Sequence, residues 1–109
     1  REENLSFWKR ELSRIVFIQG WTELINNIGL SRINFAFLDA QHTKVDVMFE
    51  FEYVSKRQKK GDIIIFDDVT PGYFDGVCEA INEIEKNHAY EITRIDCDKE
   101  RGYAIAIKK

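Results

Sequence analysis

Acidic residues follow two apolar runs that have the composition of buried strands. Asp39 follows the run over residues 33–38, and Asp67 with Asp68 follows the run over residues 61–66. Because neighbouring parallel strands lie about 4.8 Å apart, carboxylates at their carboxyl ends can share one small cation. Oxygen ligands of this kind suit a hard ion such as Mg²⁺, Mn²⁺ or Ca²⁺. The alternative is that these aspartates cap the next helices or turns, and the pattern leaves both interpretations open.

A histidine near these acids adds to the candidate chemistry, whereas a second histidine and a glycine are expected to be structural. His42 lies three residues after Asp39, where it could accept a proton from a substrate hydroxyl near neutral pH. A surface histidine or a helix-cap partner is the alternative. His88 is predicted to lie between a helix and a strand, which indicates a structural role. Gly76, in the first turn of a predicted helix, is expected to permit a close backbone approach.

The elements that must position these residues alternate between strand and helix. The periodicity predicts a helix over residues 1–13, a strand over 14–19, a helix over 21–28, strands over 32–39 and 62–67, and a helix over 73–87. Two further strands, over residues 90–97 and 102–108, are separated by the polar turn at 98–101. That turn is too short for a helical crossover, so these strands should form an antiparallel hairpin. The predicted fold is therefore α/β, with a mixed doubly wound sheet that ends in an antiparallel hairpin.

The segment over residues 45–57 gives conflicting signals. Alternate residues from Val45 to Tyr53 are apolar, which is the period of a strand. Val47, Met48, Phe51 and Val54, however, share one face of a helix. Because the flanking strands each end in acidic residues, they are expected to be parallel, and parallel strands need a crossover that is usually helical. We therefore predict a helix against the local alternation.

The composition bounds the class of protein. The chain has 109 residues, 44% hydrophobic and 32% charged, with a formal net charge of -3, which is typical of one soluble globular domain. The run Lys56-Arg57-Gln58-Lys59-Lys60 indicates a solvated loop rather than a nucleic-acid site. No stretch is long and apolar enough for a membrane span. The 2 cysteines form no C-x-x-C pair, which favours a reduced, cytoplasmic protein.

Two stretches together resemble the class I S-adenosylmethionine-dependent methyltransferases. They are Phe37-Leu38-Asp39-Ala40-Gln41-His42 and Gly61-Asp62-Ile63-Ile64-Ile65-Phe66-Asp67-Asp68-Val69-Thr70-Pro71-Gly72. The pattern is most similar to cation-dependent O-methyltransferases of the catechol and the sugar or macrolide type. This resemblance implies Mg²⁺ bound by Asp39, Asp67 and Asp68. It also implies a last strand inserted between the 62–67 and 90–97 strands.

The resemblance further implies a cofactor site and an acceptor. S-adenosylmethionine would contact Gly20, Trp21 and Thr22, which follow the 14–19 strand, and the edge near Asp39. His42 falls where catechol-type enzymes have a lysine base, so its role as the base is an expectation. The acceptor would be a small molecule with a hydroxyl group. For Trp21, a core position in the helix over residues 21–28 is the alternative.

The glycine-rich cofactor loop of that family has no counterpart in the sequence. No Gly-x-Gly follows a predicted strand, and no acidic residue closes a second strand. We therefore expect residues 1–109 to be the C-terminal portion of a single methyltransferase domain whose first two strands lie upstream. Alone, the chain should bind the cofactor poorly and be inactive.

The sequence leaves one other class of protein open and disfavours a second. A non-catalytic methyltransferase-like module for binding or homodimerisation is the alternative function, since an open sheet edge beside Asp39 would invite pairing. A receiver domain is disfavoured, because its acidic pair precedes the lone aspartate and here the pair follows it.

Overall fold

The described part of the chain contains four strands and two helices. The computed structural model describes residues 29–39, 42–96 and 101–109. Within them lie β1 (Phe35–Leu38), α1 (Lys44–Ser55), β2 (Ile63–Phe66), α2 (Asp75–Lys86), β3 (Tyr90–Asp96) and β4 (Gly102–Lys108). Each element predicted in this part is found, with ends that differ by no more than three residues. The elements predicted over residues 1–13, 14–19 and 21–28 lie outside the described residues.

The four strands form one mixed sheet in the order β1-β2-β4-β3. β1 is parallel to β2, and β4 is antiparallel to both β2 and β3. The α/β class, the closing hairpin and the insertion of the last strand are therefore confirmed. The backbone N–H of Asp67 donates to the carbonyl oxygen of Leu38 at 3.1 Å, which continues the parallel pairing by one residue beyond β2. The ends of β1 and β2 are thus held side by side.

The segment that gave conflicting signals is helix α1. Thr43 caps its amino end by accepting a hydrogen bond from the backbone N–H of Asp46 at 3.2 Å. Val47 and Phe51 are buried, whereas Val45, which shares their alternation, is 78% exposed. The crossover argument is confirmed, because the requirement of a parallel strand pair outweighs a local alternation that the helix satisfies only in part.

One face of the sheet carries the core. Both helices pack on the face to which Ile64, Phe66, Ala104 and Ala106 point, and all four are buried. The buried residues of α2 are the four apolar residues that predicted it, namely Val77, Ala80, Ile81 and Ile84. Full burial of each larger side chain contributes about 1.5–3 kcal/mol. The core thus lies between this face and the two helices.

The opposite face is less covered at the edge strand. Phe35 is 57% exposed and Phe37 is 50% exposed, and both point away from the core face. Among the described residues β1 pairs with β2 alone and therefore forms one edge of the sheet. No helix in the described ranges is both long and apolar enough to cross a membrane.

Candidate functional site

Three aspartates converge at the carboxyl ends of β1 and β2. Asp39 directly follows β1, and Asp67 and Asp68 follow β2. Each offers one carboxylate oxygen, and these oxygens all lie within 4.8 Å of one another. Three carboxylates at this spacing form a donor set that fits a hard divalent cation. The structure therefore brings together the residues that the sequence placed at one edge, while their role as metal ligands stays a prediction.

The electrostatics of the cluster are unfavourable for an isolated set of acids. Desolvation raises the pKa of Asp39 above its ordinary value, and the negative charges of Asp67 and Asp68 raise that pKa further. Neighbouring carboxylates that stay charged repel one another, and the attraction of a bound cation for all of them would outweigh that repulsion. The cluster is thus arranged as a cation site would be, at a cost to the metal-free chain.

The alternative is that these aspartates cap helices or turns, and none of them caps either described helix. The N-cap of α1 is Thr43, and the N-cap of α2 is Phe74, which makes no side-chain capping bond. Asp67 does have a local bond, since its Oδ1 accepts the backbone N–H of Asp68 at 2.8 Å. That bond orients one carboxylate oxygen of Asp67 within the turn that follows β2.

His42 lies against the cluster. Its Nε2 is 2.6 Å from Oδ2 of Asp68, and its ring centroid is 4.2 Å from that of Phe74. The imidazole is therefore held between a residue that follows β2 and the residue that precedes α2. Its side chain is 49% exposed, so a ligand can reach it. This geometry fits a proton acceptor beside the cluster, which sequence reasoning predicted from the position of His42 alone.

The backbone around Asp68 is unusual. Asp68 has a φ of 60°, in the left-handed region that asparagine and aspartate adopt more readily than most residues. The next residue, Val69, donates its N–H to the carbonyl oxygen of Gly102 at 2.9 Å. A Cβ on Gly102 would collide with the carbonyl oxygen of Val69. Glycine at the start of β4 thus lets the turn that carries Asp68 approach the sheet closely.

A cavity of about 650 Å³ opens at the cluster and includes residues that sequence reasoning missed. Besides the three aspartates it is lined by Tyr73, Phe74 and Arg101. Tyr73 and Phe74 follow a turn whose glycine, Gly72, has a positive φ of 86°. An aromatic pair just after an acidic strand end was the available signal. Arg101 ends the polar turn of the hairpin, and no sequence pattern connected that turn with β2.

The structure describes the predicted cofactor site only in part. Gly20, Trp21 and Thr22 lie outside the described residues, and only Asp39 of that set is described. The close backbone approach that the sequence predicted at Gly76 is confirmed. A Cβ there would collide with the carbonyl oxygen of His42.

Comparison with solved structures identifies the fold. A protein described as an O-methyltransferase of Klebsiella pneumoniae superposes with a TM-score of 0.70 at 18% identity, covering 99% of this chain and 55% of that one. The O-methyltransferase TomG of Streptomyces achromogenes, solved with SAM, gives 0.60 at 18% identity, covering 81% and 45%. The O-methyltransferase of Bacillus cereus, solved with SAH, gives 0.57 at 19% identity, covering 80% and 46%.

These likenesses define the class of fold. The described sheet and helices have the partial Rossmann-like fold of the S-adenosylmethionine-dependent O-methyltransferases. The chain spans about half the length of those three structures, between 45% and 55%. No family model matches the sequence, and no curated protein does.

Proposed function

We propose that the protein is a metal-assisted, S-adenosylmethionine-dependent methyltransferase, or the part of one that carries its acceptor site, acting on a hydroxyl of a small molecule. The observation that carries this proposal is the convergence of Asp39, Asp67 and Asp68 at the strand ends of a methyltransferase fold. In open α/β sheets, ligands bind beyond the carboxyl ends of the strands. The cavity at that edge has room for a small acceptor.

The geometry of the site supports a role for each residue in this proposal. A divalent cation held by the three aspartates would supply positive charge that lowers the pKa of an acceptor hydroxyl. With Nε2–H of His42 donating to Oδ2 of Asp68 at 2.6 Å, Nδ1 is the nitrogen that would accept the hydroxyl proton, and Asp68 would stabilise the resulting imidazolium. S-adenosylmethionine, when bound, would supply an electrophilic methyl group to the hydroxyl oxygen, with a C–O bond formed as the C–S bond breaks. Tyr73 and Phe74 shape the cavity wall beside the acids.

The test is methyl transfer by the intact protein with S-adenosylmethionine and a panel of hydroxylated aromatic and sugar acceptors, with and without Mg²⁺. Formation of S-adenosylhomocysteine should require the cation. Asp67→Asn should lower turnover by at least about 100-fold, because it removes a charged ligand of the proposed cation. Glu91→Gln, which removes one charge at the opposite end of the sheet, is the matched control and should retain turnover. Activity indifferent to chelator and to Asp67→Asn would refute the metal role.

The 109-residue chain by itself is expected to bind S-adenosylmethionine weakly. By the resemblance, the backbone amides and the acid that hold the cofactor belong to strands upstream. Loss of several hydrogen bonds, each contributing about 0.5–1.5 kcal/mol, lowers affinity by orders of magnitude. Calorimetric titration of the chain measures this, and micromolar binding would show that the cofactor site is misplaced.

A non-catalytic dimerisation module is the second candidate function. Phe35 and Phe37 favour it, because their exposed side chains form an apolar patch on the face of β1 that lies opposite the core, and such patches mark protein interfaces. Light scattering after size exclusion distinguishes the two. A stable dimer that is disrupted by Phe37→Ser, together with no methyl transfer by the intact protein, would support the module.

A further inference from the structure

Helix α2 begins in direct contact with the backbone that precedes α1. Gly76 lies in the first turn of α2, and a Cβ on it would collide with the carbonyl oxygen of His42. The same Cβ would lie 2.9 Å from the backbone nitrogen of Lys44 and 3.2 Å from the carbonyl carbon of Thr43. All three atoms belong to the backbone, so no side-chain rotation can relieve the contact. The requirement for glycine here is one of space.

This contact lies next to the two groups that hold the imidazole of His42. Asp68, which His42 Nε2 approaches to 2.6 Å, and Phe74, whose ring centroid is 4.2 Å from that of His42, are on the segment that leads into Gly76. The imidazole therefore bridges the same two backbone segments that meet at Gly76. The distance between those segments decides whether His42 reaches Asp68.

A side chain at position 76 would move the two backbone segments far enough apart to break the contact between His42 and Asp68. Carbon and oxygen atoms in van der Waals contact prefer separations of about 3.5 Å, so a methyl group at position 76 would push the segments apart by roughly 1 Å. A contact of 2.6 Å lengthened by roughly 1 Å reaches the limit at which a hydrogen bond is lost.

We propose that Gly76 is a positioning residue for the candidate site: its missing side chain sets the approach of α2 to residues 42–44 and so holds His42 on Asp68. The catalytic role of His42 rests on the proposed function. The effect of Gly76 on the position of His42 does not, because it concerns residues of this chain alone. Gly76 touches neither an acceptor nor the acidic cluster, and it acts through His42.

Nuclear magnetic resonance of the two imidazoles in the metal-free chain tests the geometry. The chain has 2 histidines, His42 and His88, so ¹⁵N spectra contain two sets of ring signals, and His88 is an internal reference. In the wild type the Nε2 signal of His42 should report a hydrogen bond to a carboxylate. In Gly76→Ala that signature should be lost while the His88 signals stay in place.

Two control variants separate position from stability. Gly61, with a φ of 91° and no atom within 4 Å of an added Cβ, lies before β2 at the opposite end from Asp67. Gly61→Ala should destabilise the chain through backbone strain and leave the His42 signals unchanged. Lys44→Ala removes the exposed ion pair with Glu83, 3.2 Å long between α1 and α2, and should also leave them unchanged.

Two outcomes would overturn the proposal. One is a folded Gly76→Ala chain in which the His42 signature persists. The other is a Gly76→Ala chain that fails to fold under conditions in which Gly61→Ala folds, because Gly76 would then be a requirement of the fold rather than of the His42 position.

Mn²⁺ titration links the geometry to the proposed site. Because outer partners of metal ligands tune affinity, Gly76→Ala should weaken Mn²⁺ binding by about tenfold, while Gly61→Ala and Lys44→Ala should not. Unaltered Mn²⁺ affinity in Gly76→Ala would count against the proposal. If the wild-type chain bound no Mn²⁺, the metal role would fail, and the imidazole spectra would still decide whether Gly76 positions His42.

Discussion

At the amino end of β2, the carboxylate of Asp62 accepts hydrogen bonds from the guanidinium group of Arg32 and from the backbone N–H of Lys59. At the carboxyl end of the same strand, Asp67 lies beside Asp39 and Asp68. The hydrogen bond from Arg32, followed by that from Lys59, holds the pKa of Asp62 below its ordinary value. Desolvation and neighbouring acids raise the pKa of Asp39. The two ends of β2 therefore lie in environments that shift the pKa of a carboxyl group in opposite directions.

The amino end contains further satisfied polar groups. The hydroxyl of buried Tyr90 donates to Oε1 of Gln58 at 2.7 Å, and Nε2 of Gln58 donates to the carbonyl oxygen of Ile63 at 3.1 Å. Nζ of Lys108 donates to the carbonyl oxygen of Ser55 at 2.8 Å, which ties the end of α1 to β4. The polar groups at this end are hydrogen-bonded, whereas at the acidic end the raised pKa of Asp39 reflects desolvation and repulsion from the neighbouring carboxylates. Perturbed groups of that second kind cluster at functional sites.

The largest expected effect is stabilisation of the acidic end by a cation. Because an ion that binds the folded chain alone stabilises it by mass action, Mn²⁺ at a hundred times its dissociation constant should add about 2.7 kcal/mol to the free energy of unfolding. Urea denaturation with and without Mn²⁺ measures this. Asp39→Asn should lose most of the gain, whereas Asp62→Asn should keep it. Equal gains in both variants would place the ion elsewhere.

An effect of similar or smaller size is expected at the amino end. Tyr90→Phe leaves the buried Oε1 of Gln58 without its donor, which should lower the free energy of unfolding by about 1–3 kcal/mol. Tyr73→Phe is the matched control, because Tyr73 is 57% exposed and its change should stay within about 0.5 kcal/mol. Mn²⁺ affinity should not change in Tyr90→Phe, and Tyr73→Phe is a control for stability alone because Tyr73 lines the cavity. A loss of Mn²⁺ binding in Tyr90→Phe would show that the two ends are coupled.

The smallest expected effect is the way in which the stability changes caused by Asp62→Asn and Asp39→Asn depend on pH in metal-free buffer. A lowered folded-state pKa means that Asp62 stabilises the fold above its unfolded pKa, about 3.9, and that this stabilisation is lost as pH falls through the folded value. Asp62→Asn should therefore destabilise the chain at neutral pH and less so below about pH 4. A raised folded-state pKa means the reverse for Asp39, so Asp39→Asn should stabilise the chain at neutral pH.

The advantage of Asp39→Asn should fade as pH falls from the raised pKa of Asp39 toward its unfolded value of about 3.9, because the wild-type carboxyl group then becomes protonated. Denaturation midpoints measured between pH 3 and pH 7 give both curves. Variants whose midpoints shift in the same direction at neutral pH would remove the contrast between the two ends.

Much of the fold could be predicted because its local signals are physically strong. The buried residues of α2 recur at helical spacing, and the short turn between β3 and β4 admits nothing but a hairpin. The helix at α1 needed a topological argument, since Val45 and Phe49 are exposed and contribute only to the apparent alternation. The convergence of Asp39 with Asp67 followed from the parallel strand pair, because neighbouring parallel strands end at one edge.

What the sequence determined by itself is the order of the elements and the edge of the sheet at which the acids gather, since both depend on short-range periodicity and on strand direction. Contacts between segments far apart in the chain were decided by the tertiary structure. The contact of His42 with Asp68, the backbone segment that Gly76 approaches and the presence of Arg101 in the cavity all depend on the distance between packed backbones. That distance is set by side chains packed throughout the core, and no single motif encodes it.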